Sequence, residues 1–203
     1  RIGPSIDRID GSAYISALYP LTGYDMRNDL GIDAALIHAL MRQESKFDPN
    51  ARNRYSGAAG LMQLMPSTAR FAAQKVGLSN YGHHMLYQPD ANIRMGQSYL
   101  AYLKKHKRIN HNLFFMTTAY NAGPGKLGRW QRAIEYNNDP LLFIESLPAA
   151  ETRAFIERVL TNFWIYRSRM GQDTPSLEML AAGEWPVYRS QDEPLSINVA
   201  QAD

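Results

Sequence analysis

Residues 33–47, DAALIHALMRQESKF, contain the clearest helical pattern of the chain. Asp33 can cap the start of a helix and Pro49 can stop it, so we predict a helix that ends near residue 47. Its apolar residues recur at the spacing that shares one helix face, and they are Ile37, Leu40 and Met41. Glu44 continues this stripe, where an apolar residue would be expected.

Outward from this stretch, the periodicity predicts further helices and almost no strands. Gly and Pro residues separate the helices. The other predicted helices cover about residues 66–76, 91–107, 113–121, 124–136, 140–146, 150–170 and 175–182. The helix over 150–170 is the longest and carries many apolar residues at helical spacing, so we expect it to be the core helix.

The pattern indicates one all-α domain without repeats or an interdomain linker. We assign residues 31–188 to this domain and residues 1–30 to an N-terminal lead-in segment. Residues 189–203 are predicted to form a C-terminal tail. Beyond Ser190 this tail has acidic residues but no Lys or Arg, and we expect it to be bound to the surface or mobile.

Composition excludes several classes of protein. The chain has 203 residues, of which 45% are apolar and 20% charged, so a disordered protein is excluded. It has no cysteine, which excludes disulfides and thiolate metal sites. Charged residues interrupt every apolar stretch before the roughly 20 residues that cross a bilayer, so we expect no membrane span. The chain begins at Arg1 without a leader, which suggests a processed product or an excised domain.

Positive charge is concentrated in residues 91–132, which have eight Lys and Arg residues and no Asp or Glu. A solvated helix face is the ordinary explanation, and a polyanionic partner is the alternative. The formal net charge is only +3 and aromatic residues are not regularly interleaved with the basic ones, so we expect no nucleic-acid partner.

Common cofactor and metal motifs are absent from the sequence. Residues 123–126, GPGK, are followed by Leu127 where a phosphate loop has Ser or Thr. The sequence also has no HExxH zinc motif and no GxSxG nucleophile motif. We therefore expect neither a cofactor nor a metal.

Glu44 is the candidate catalytic residue. Packing of its stripe would remove water from the carboxyl group, and the last turn of a helix is the negative end of its dipole. Both effects favour the protonated form, as a general acid with a pKa raised toward about 6 requires. The alternative is a side chain that turns outward to solvent, and the stripe alone does not decide between them.

Glu151 is the second candidate carboxylate. It lies in the first turn of the predicted helix 150–170, where the dipole stabilises an anion. The pKa values of Glu44 and Glu151 would then be shifted in opposite directions. An ordinary charge at a helix start is the alternative for Glu151.

Two segments rich in small residues are candidates for ligand contact. In residues 57–66, GAAGLMQLMP, small residues would let a ligand approach the backbone, whereas the alternative is a tight turn with methionines in the core. In residues 119–125, AYNAGPG, a helix stop explains Gly123 and Pro124. It does not explain Tyr120 beside Asn121, a pair that suits an N-acetylated sugar.

Four segments together resemble, in order, the motifs of the soluble lytic transglycosylases of bacterial cell-wall metabolism. They are ESKF at 44–47, the run at 57–66, AYNAGPG at 119–125, and LP at 147–148 with ETR at 151–153. The similarity extends over about residues 32–186. It implies a lysozyme-like helical fold of the goose type with a glycan-binding groove. It also implies periplasmic action as the C-terminal catalytic domain of a longer exported protein.

The resemblance implies that Glu44 is the catalytic acid and base. Five further positions would line the glycan groove or support the catalytic residue, namely Gln63, Met65, Tyr120, Asn121 and Glu151. The stretch before Gly57 is one residue longer than is usual in the family, and Arg54 stands near the position of a groove-lining Ser. Ser56 and Asn53 are the two candidates to replace that Ser.

The implied reaction cleaves the β-1,4 bond between N-acetylmuramic acid and N-acetylglucosamine in peptidoglycan without water. Glu44 would act as acid and then as base, and the products would carry a 1,6-anhydro ring. We expect a monomer that acts on peptidoglycan glycan strands, with partners in an envelope complex. Two alternatives remain, a goose-lysozyme-like hydrolase and a non-catalytic peptidoglycan-binding module.

Overall fold

The computed structural model describes residues 11–26, 29–78 and 80–192. Within these residues the regular structure is helical, and extended segments pair only in isolated bridges. The helices are α1 (Gly11–Leu18), α2 (Ala34–Glu44), α3 (Pro66–Lys75), a 3₁₀ helix (His83–Tyr87), α4 (Pro89–Lys105), α5 (Leu113–Ala122), α6 (Pro124–Ala133), α7 (Pro140–Glu145), α8 (Ala150–Arg169) and α9 (Pro175–Ala181). The predicted all-α class is confirmed.

Helix α2 is shorter than predicted. It begins after the Asp33 cap, whose carboxylate accepts a hydrogen bond from the Leu36 amide at 3.3 Å. It ends at Glu44 because Lys46 and Phe47 adopt left-handed backbone with φ of +53° and +67°. The helix therefore stops before the predicted breaker Pro49, and Glu44 is its last residue.

The boundaries of other helices also differ from the prediction. Helix α4 starts at Pro89, earlier than predicted, because proline fits the first turn of a helix. Helix α6 ends at Ala133 instead of residue 136. Helix α1 and the 3₁₀ helix were not predicted, since both are short and the 3₁₀ helix has no side-chain cap.

Helices α2 and α8 form the centre of the core and run antiparallel. Their buried faces include Ile37, Leu40 and Met41 of α2 and Phe155, Val159 and Phe163 of α8. The direction follows from the ends, because Asp33 before α2 pairs with Arg167 near the end of α8. The expected core role of the long helix is confirmed, and Glu44 at the end of α2 comes close to the start of α8.

The Asp33–Arg167 pair is a buried ion pair. Arg167 Nη2 lies 2.8 Å from Asp33 Oδ2, and the two side chains are 1% and 0% exposed. The Asp33 amide donates to Tyr188 Oη at 2.8 Å, and Arg167 also donates to the carbonyl of Arg189. The pair thus connects the two central helices to the chain that follows α9.

Both ends of the described chain pack on α2 and α8. Tyr166 Oη donates to the carbonyl of Pro20 at 3.3 Å, and the Thr22 amide donates to His38 Nε2 at 3.0 Å. At the other end, Asp192 Oδ2 accepts from the Ala34 amide at 2.7 Å. The rest of the predicted tail, 193–203, lies outside the described residues, and the predicted boundaries at residues 30 and 188 stay predictions.

We expect Asp33→Ala to lower the free energy of unfolding by about 3–5 kcal/mol, because Arg167 would remain buried without its partner. The matched control is Asp139→Ala, which removes the cap of α7 but no buried pair, and should cost about 1 kcal/mol. Urea unfolding of both variants measures the difference. If both variants lost the same unfolding free energy, the ion pair would contribute no stability beyond that of a helix cap.

Candidate active site

Glu44 is half-buried at the end of α2, beside the start of α8. Within the described part of the chain, its carboxyl group makes no hydrogen bond or ion pair. Burial raises the pKa of Glu44 to about 8, and the negative charge of Glu151 is the second cause. This value exceeds the pKa near 6 expected from the sequence, and it keeps the group protonated at neutral pH. The carboxyl group therefore packs against protein instead of standing free in solvent.

A buried amide fixes the loop that follows Glu44. Asn92 Oδ1 accepts from the Met62 amide at 2.8 Å, and Asn92 Nδ2 donates to the carbonyls of Ala59 at 3.1 Å and Leu86 at 2.8 Å. Gly60, with φ of +78°, leaves no room for a side chain, because a Cβ there would lie 1.9 Å from the Leu86 oxygen. The small size of Gly60 thus serves the protein interior, as the tight-turn alternative requires, and approach of a ligand to this segment stays a prediction.

Tyr120 holds the same loop from α5. Its Oη donates to the carbonyl of Met62 at 2.7 Å, and its ring stacks on Phe155 with centroids 6.4 Å apart. Burial raises the pKa of Tyr120 well above its usual range, and the charge of Glu44 is the next cause. Tyr120 is therefore within electrostatic reach of Glu44 and keeps its proton, as the sequence prediction of a shared site requires.

Asn121 and Glu151 meet where α5 ends and α8 begins. Thr152 Oγ1 donates to Asn121 Oδ1 at 2.7 Å, which leaves the amide hydrogens of Asn121 for other partners. Glu151 is exposed in the first turn of α8, as predicted, and its charge acts on Glu44. The structure thus brings Glu44, Tyr120, Asn121 and Glu151 to one region.

Gln63 supports the loop through its side chain. Its Nε2 donates to the carbonyls of Ala51 at 3.0 Å and Gly60 at 2.9 Å, and its backbone has φ of +45°. Both amide hydrogens are therefore used within the protein, and only the side-chain oxygen remains to contact a ligand. Gln63 is better described as a positioning residue than as a donor to substrate.

Met65 and Ser56 lie at the open side of this loop. Met65 precedes α3 and is 41% exposed, whereas Met62 is fully buried. Core filling thus applies to Met62, and ligand contact by Met65 stays a prediction. Ser56 is exposed, and its Oγ accepts from the Ala58 amide at 3.2 Å.

Asn53 organises the longer loop before Gly57. Its Oδ1 accepts from the amides of Tyr55 at 3.0 Å and Ser56 at 3.1 Å, which caps a turn in this loop. Tyr55 at the tip of this turn is fully exposed. Whether Asn53 or Ser56 contacts a glycan stays a prediction.

Sequence reasoning missed two residues that hold the site together. Asn92 is fully buried on α4, and Thr152 is buried beside Glu151. Asn92 could have been noticed in the sequence, because it is a polar residue next to the predicted apolar face of α4. Thr152 lies in the ETR motif at 151–153, but its role was not predicted because it depends on a contact with Asn121 from a distant part of the chain.

Residues 26–141, more than half of the 203 residues, match the family described as transglycosylase SLT domain. The chain belongs to this family. The resemblance found from the four motifs is thereby confirmed. Glu44, Gln63, Tyr120 and Asn121 lie inside the matched segment, whereas Glu151 lies beyond it.

Similar proteins support the same family. The soluble lytic murein transglycosylase of Salmonella typhimurium is 35% identical over 165 residues, which are 81% of this chain and 24% of that protein. The lytic transglycosylase Slt of Pseudomonas aeruginosa, solved as an inactive Glu-to-Gln mutant, is 33% identical with a TM-score of 0.69 over 79% of this chain and 26% of that one.

A complex of the 70-kDa soluble lytic transglycosylase with bulgecin A is also 33% identical, with a TM-score of 0.72 over 87% of this chain and 28% of that one. The predicted lysozyme-like fold is confirmed by these neighbours. The SLT chain described here spans about a quarter of the length of these relatives.

The described residues of this SLT domain hold no group of three or more His, Asp or Glu side chains that could bind a metal ion. None of the helices in those residues is both long and apolar enough to span a membrane.

We expect Glu44→Gln to stabilise the SLT domain progressively as pH rises. A carboxyl group with a pKa near 4.5 when unfolded and about 8 when folded binds more protons in the folded state between these values. The wild type therefore loses stability across this window, and the variant does not. The difference in unfolding free energy should grow by about 1–3 kcal/mol from pH 4.5 to pH 8.

Denaturant unfolding at several pH values measures this difference. Glu178→Gln, at an exposed position of α9, is the matched control and should show no such trend. A flat difference between wild type and Glu44→Gln would contradict a raised pKa.

Proposed function

We propose that this domain cleaves the β-1,4 bond between N-acetylmuramic acid and N-acetylglucosamine in peptidoglycan by lytic transglycosylation. The observation that carries this proposal is the Glu44 carboxyl group, which is protonated at neutral pH and held by no other side chain of the described residues. Membership of the SLT family and relatives named lytic murein transglycosylases support the choice of substrate.

In the first step, Glu44 donates its proton to the glycosidic oxygen. The bond from the muramoyl anomeric carbon to that oxygen breaks, and N-acetylglucosamine leaves with a hydroxyl group. The negative charge of Glu151 supports this step, because it raises the pKa of Glu44 and so keeps Glu44 protonated before the transfer.

The positive charge at the anomeric carbon then needs a partner. Many glycosidases supply it with a second carboxylate close to the sugar. Glu151 is exposed in the first turn of α8, where the helix dipole stabilises it as an anion, so we assign it an electrostatic role. The N-acetyl oxygen of the muramoyl residue instead attacks its own anomeric carbon.

In the second step, ionised Glu44 removes the proton from the C6 hydroxyl of the same sugar. The C6 oxygen forms a bond to the anomeric carbon, the N-acetyl oxygen is released, and Glu44 is protonated again. The product is a 1,6-anhydro sugar, and no water is consumed. An intramolecular attack of this kind benefits from effective molarities up to about 10⁵ M or more.

The neighbouring residues position the sugars. Tyr120 and Asn121 offer a ring and free amide hydrogens near Glu44, and the exposed side chains of Met65 and Ser56 are available to contact the glycan. Gln63 contributes by fixing the loop and by its remaining oxygen. We place the reaction in the periplasm, on glycan strands, with a monomeric domain within a longer protein and partners in the cell envelope.

Replacement of Glu44 by Gln should lower the rate of glycan cleavage by about 10²–10⁴-fold, because general acid and base catalysis is lost. Purified peptidoglycan is digested with each protein, and the masses of the products are measured by mass spectrometry. The wild type should release anhydro muropeptides. Products one water heavier would assign the domain to the goose-type hydrolases instead, and absence of any cleavage by the wild type would favour a binding module.

Replacement of Glu151 by Gln should move the alkaline limb of the pH profile of kcat/KM to lower pH. That limb should lie near pH 8 in the wild type, because it reports loss of the Glu44 proton. Removal of the Glu151 charge lowers the pKa of Glu44. Glu178→Gln is again the control. An unchanged alkaline limb in Glu151→Gln would show that the charge of Glu151 does not raise the pKa of Glu44.

A further inference from the structure

A cavity of about 490 Å³ lies between the end of α4 and helix α6, and we call it the cationic groove. Every ionisable side chain that lines it is basic. These side chains are His106, Arg108, Arg129 and Arg132, and the lining is completed by Pro124 and Gly125. No residue of α2 or α8 lines the cationic groove, so it is distinct from the region of Glu44.

The fold holds Arg108 in place at this groove. Its amide donates to His106 Nδ1 at 3.3 Å, and its carbonyl accepts from Gln131 Nε2 at 3.1 Å. Gly128 of α6 is buried, and a Cβ there would lie 3.2 Å from Arg108 Cζ. The guanidinium group of Arg108 therefore packs directly on α6, at a position that only glycine leaves open.

The positive charges of the groove are not neutralised by the part of the chain that the structure describes. Arg108, Arg129 and Arg132 are exposed, and no carboxylate within that part forms an ion pair with them. Lys126 is exposed one helical turn before Arg129, and Lys107 is exposed beside Arg108. Positive charges held this close repel one another, so an anion that binds among them relieves the repulsion.

The chemistry of the lining favours phosphate groups on an extended surface. A guanidinium group matches two phosphate oxygens at once. No Phe, Tyr or Trp lines the groove, so it lacks the stacking surface that holds the bases of a single-stranded nucleic acid. The cations come from separate segments of the chain, and a partner must therefore present several anions side by side. Clusters of about 4–8 basic residues are typical of contact with anionic lipids.

We propose that the cationic groove docks this domain on a membrane surface rich in anionic phospholipid. A headgroup phosphate binds among Arg108, Arg129 and Arg132, and the flanking lysines attract neighbouring headgroups. Pro124 is the one apolar side chain of the lining, so the contact is electrostatic and stays at the level of the headgroups. This inference concerns binding alone and does not depend on the proposed function.

Sedimentation of the whole chain with lipid vesicles tests the docking. The protein should bind vesicles of phosphatidylcholine that contain phosphatidylglycerol, and it should bind vesicles of phosphatidylcholine alone much more weakly. Binding to the anionic vesicles should decrease as salt rises, because salt screens the charges. Absence of binding to the anionic vesicles at low salt overturns the proposal.

A pair of double variants separates the groove from the net charge of the protein. Arg129→Gln with Arg132→Gln removes two charges of the groove, and Arg70→Gln with Arg158→Gln removes two exposed charges on α3 and α8. Affinity for anionic vesicles should fall about fivefold per arginine in the groove variant, as for loss of a basic residue at a lipid surface. The control should lose clearly less. If both variants lose the same affinity, net charge alone attracts the protein and the groove assignment is wrong.

Gly128→Ala changes the groove without changing any charge. The added methyl group takes the place of the Arg108 guanidinium on α6, and the flexible side chain of Arg108 moves aside. Vesicle affinity should fall about fivefold, as if one basic residue were lost. Urea unfolding should show no loss of stability, because Ala favours a helix more than Gly does. Unchanged vesicle affinity in this variant would contradict docking through the groove.

Three further measurements identify the ligand. Inorganic phosphate should displace no more protein from the vesicles than sodium chloride of equal ionic strength, and complete displacement would make the groove a site for free phosphate. Single-stranded DNA should bind the wild type and the variant Arg129→Gln with Arg132→Gln equally, and a loss confined to the variant would assign the groove to nucleic acid. Detached glycan strands should be cleaved equally by both proteins, and slower cleavage by the variant would assign the groove to the sugar. Each of these contrary results overturns the lipid assignment.

Discussion

The antiparallel packing of α2 on α8 is the constraint on which the rest of the structure depends. The ion pair of Asp33 with Arg167 joins the start of one helix to the end of the other without solvent contact. Because the helices run antiparallel, Glu44 at the end of α2 lies toward the start of α8, within electrostatic reach of Glu151. The position of the acid is therefore set by an interaction at the far end of its own helix.

The chemistry of the site follows from what surrounds the acid. Packing removes water from the carboxyl group, and an exposed anion nearby adds repulsion, so both effects favour the neutral form. Tyr120 and the Asn92 amide hold the adjoining loop by two independent sets of hydrogen bonds. These hydrogen bonds do not involve the carboxyl group of Glu44, so they persist in both of its charge states, as the two proposed proton transfers require.

Much of this arrangement could be predicted from local sequence. The helices over 113–122, 140–145 and 150–169 were found within one or two residues, since proline, glycine and apolar spacing are local signals. Glu44 stood out as a charge on an apolar stripe. The alternative for it, a side chain free in solvent, could be decided only when α8 was seen to pack against α2.

The remaining features depend on contacts between distant parts of the chain. The early end of α2 reflects left-handed backbone at Lys46 and Phe47, which neither residue type favours. The bonds of Asn92 to Met62 and of Thr152 to Asn121 join separate motifs.

The turn directly after the acid has a further consequence. Lys46 and Phe47 end helix α2 through their own backbone conformation. The loop from Asp48 to Ser56 therefore begins only after the helix has ended. Asn53 caps a turn in this loop, and Tyr55 at its tip is exposed. A change of length confined to this tip would leave the end of α2 in place, whereas Ala51 ties the remainder of the loop to Gly60 and Gln63.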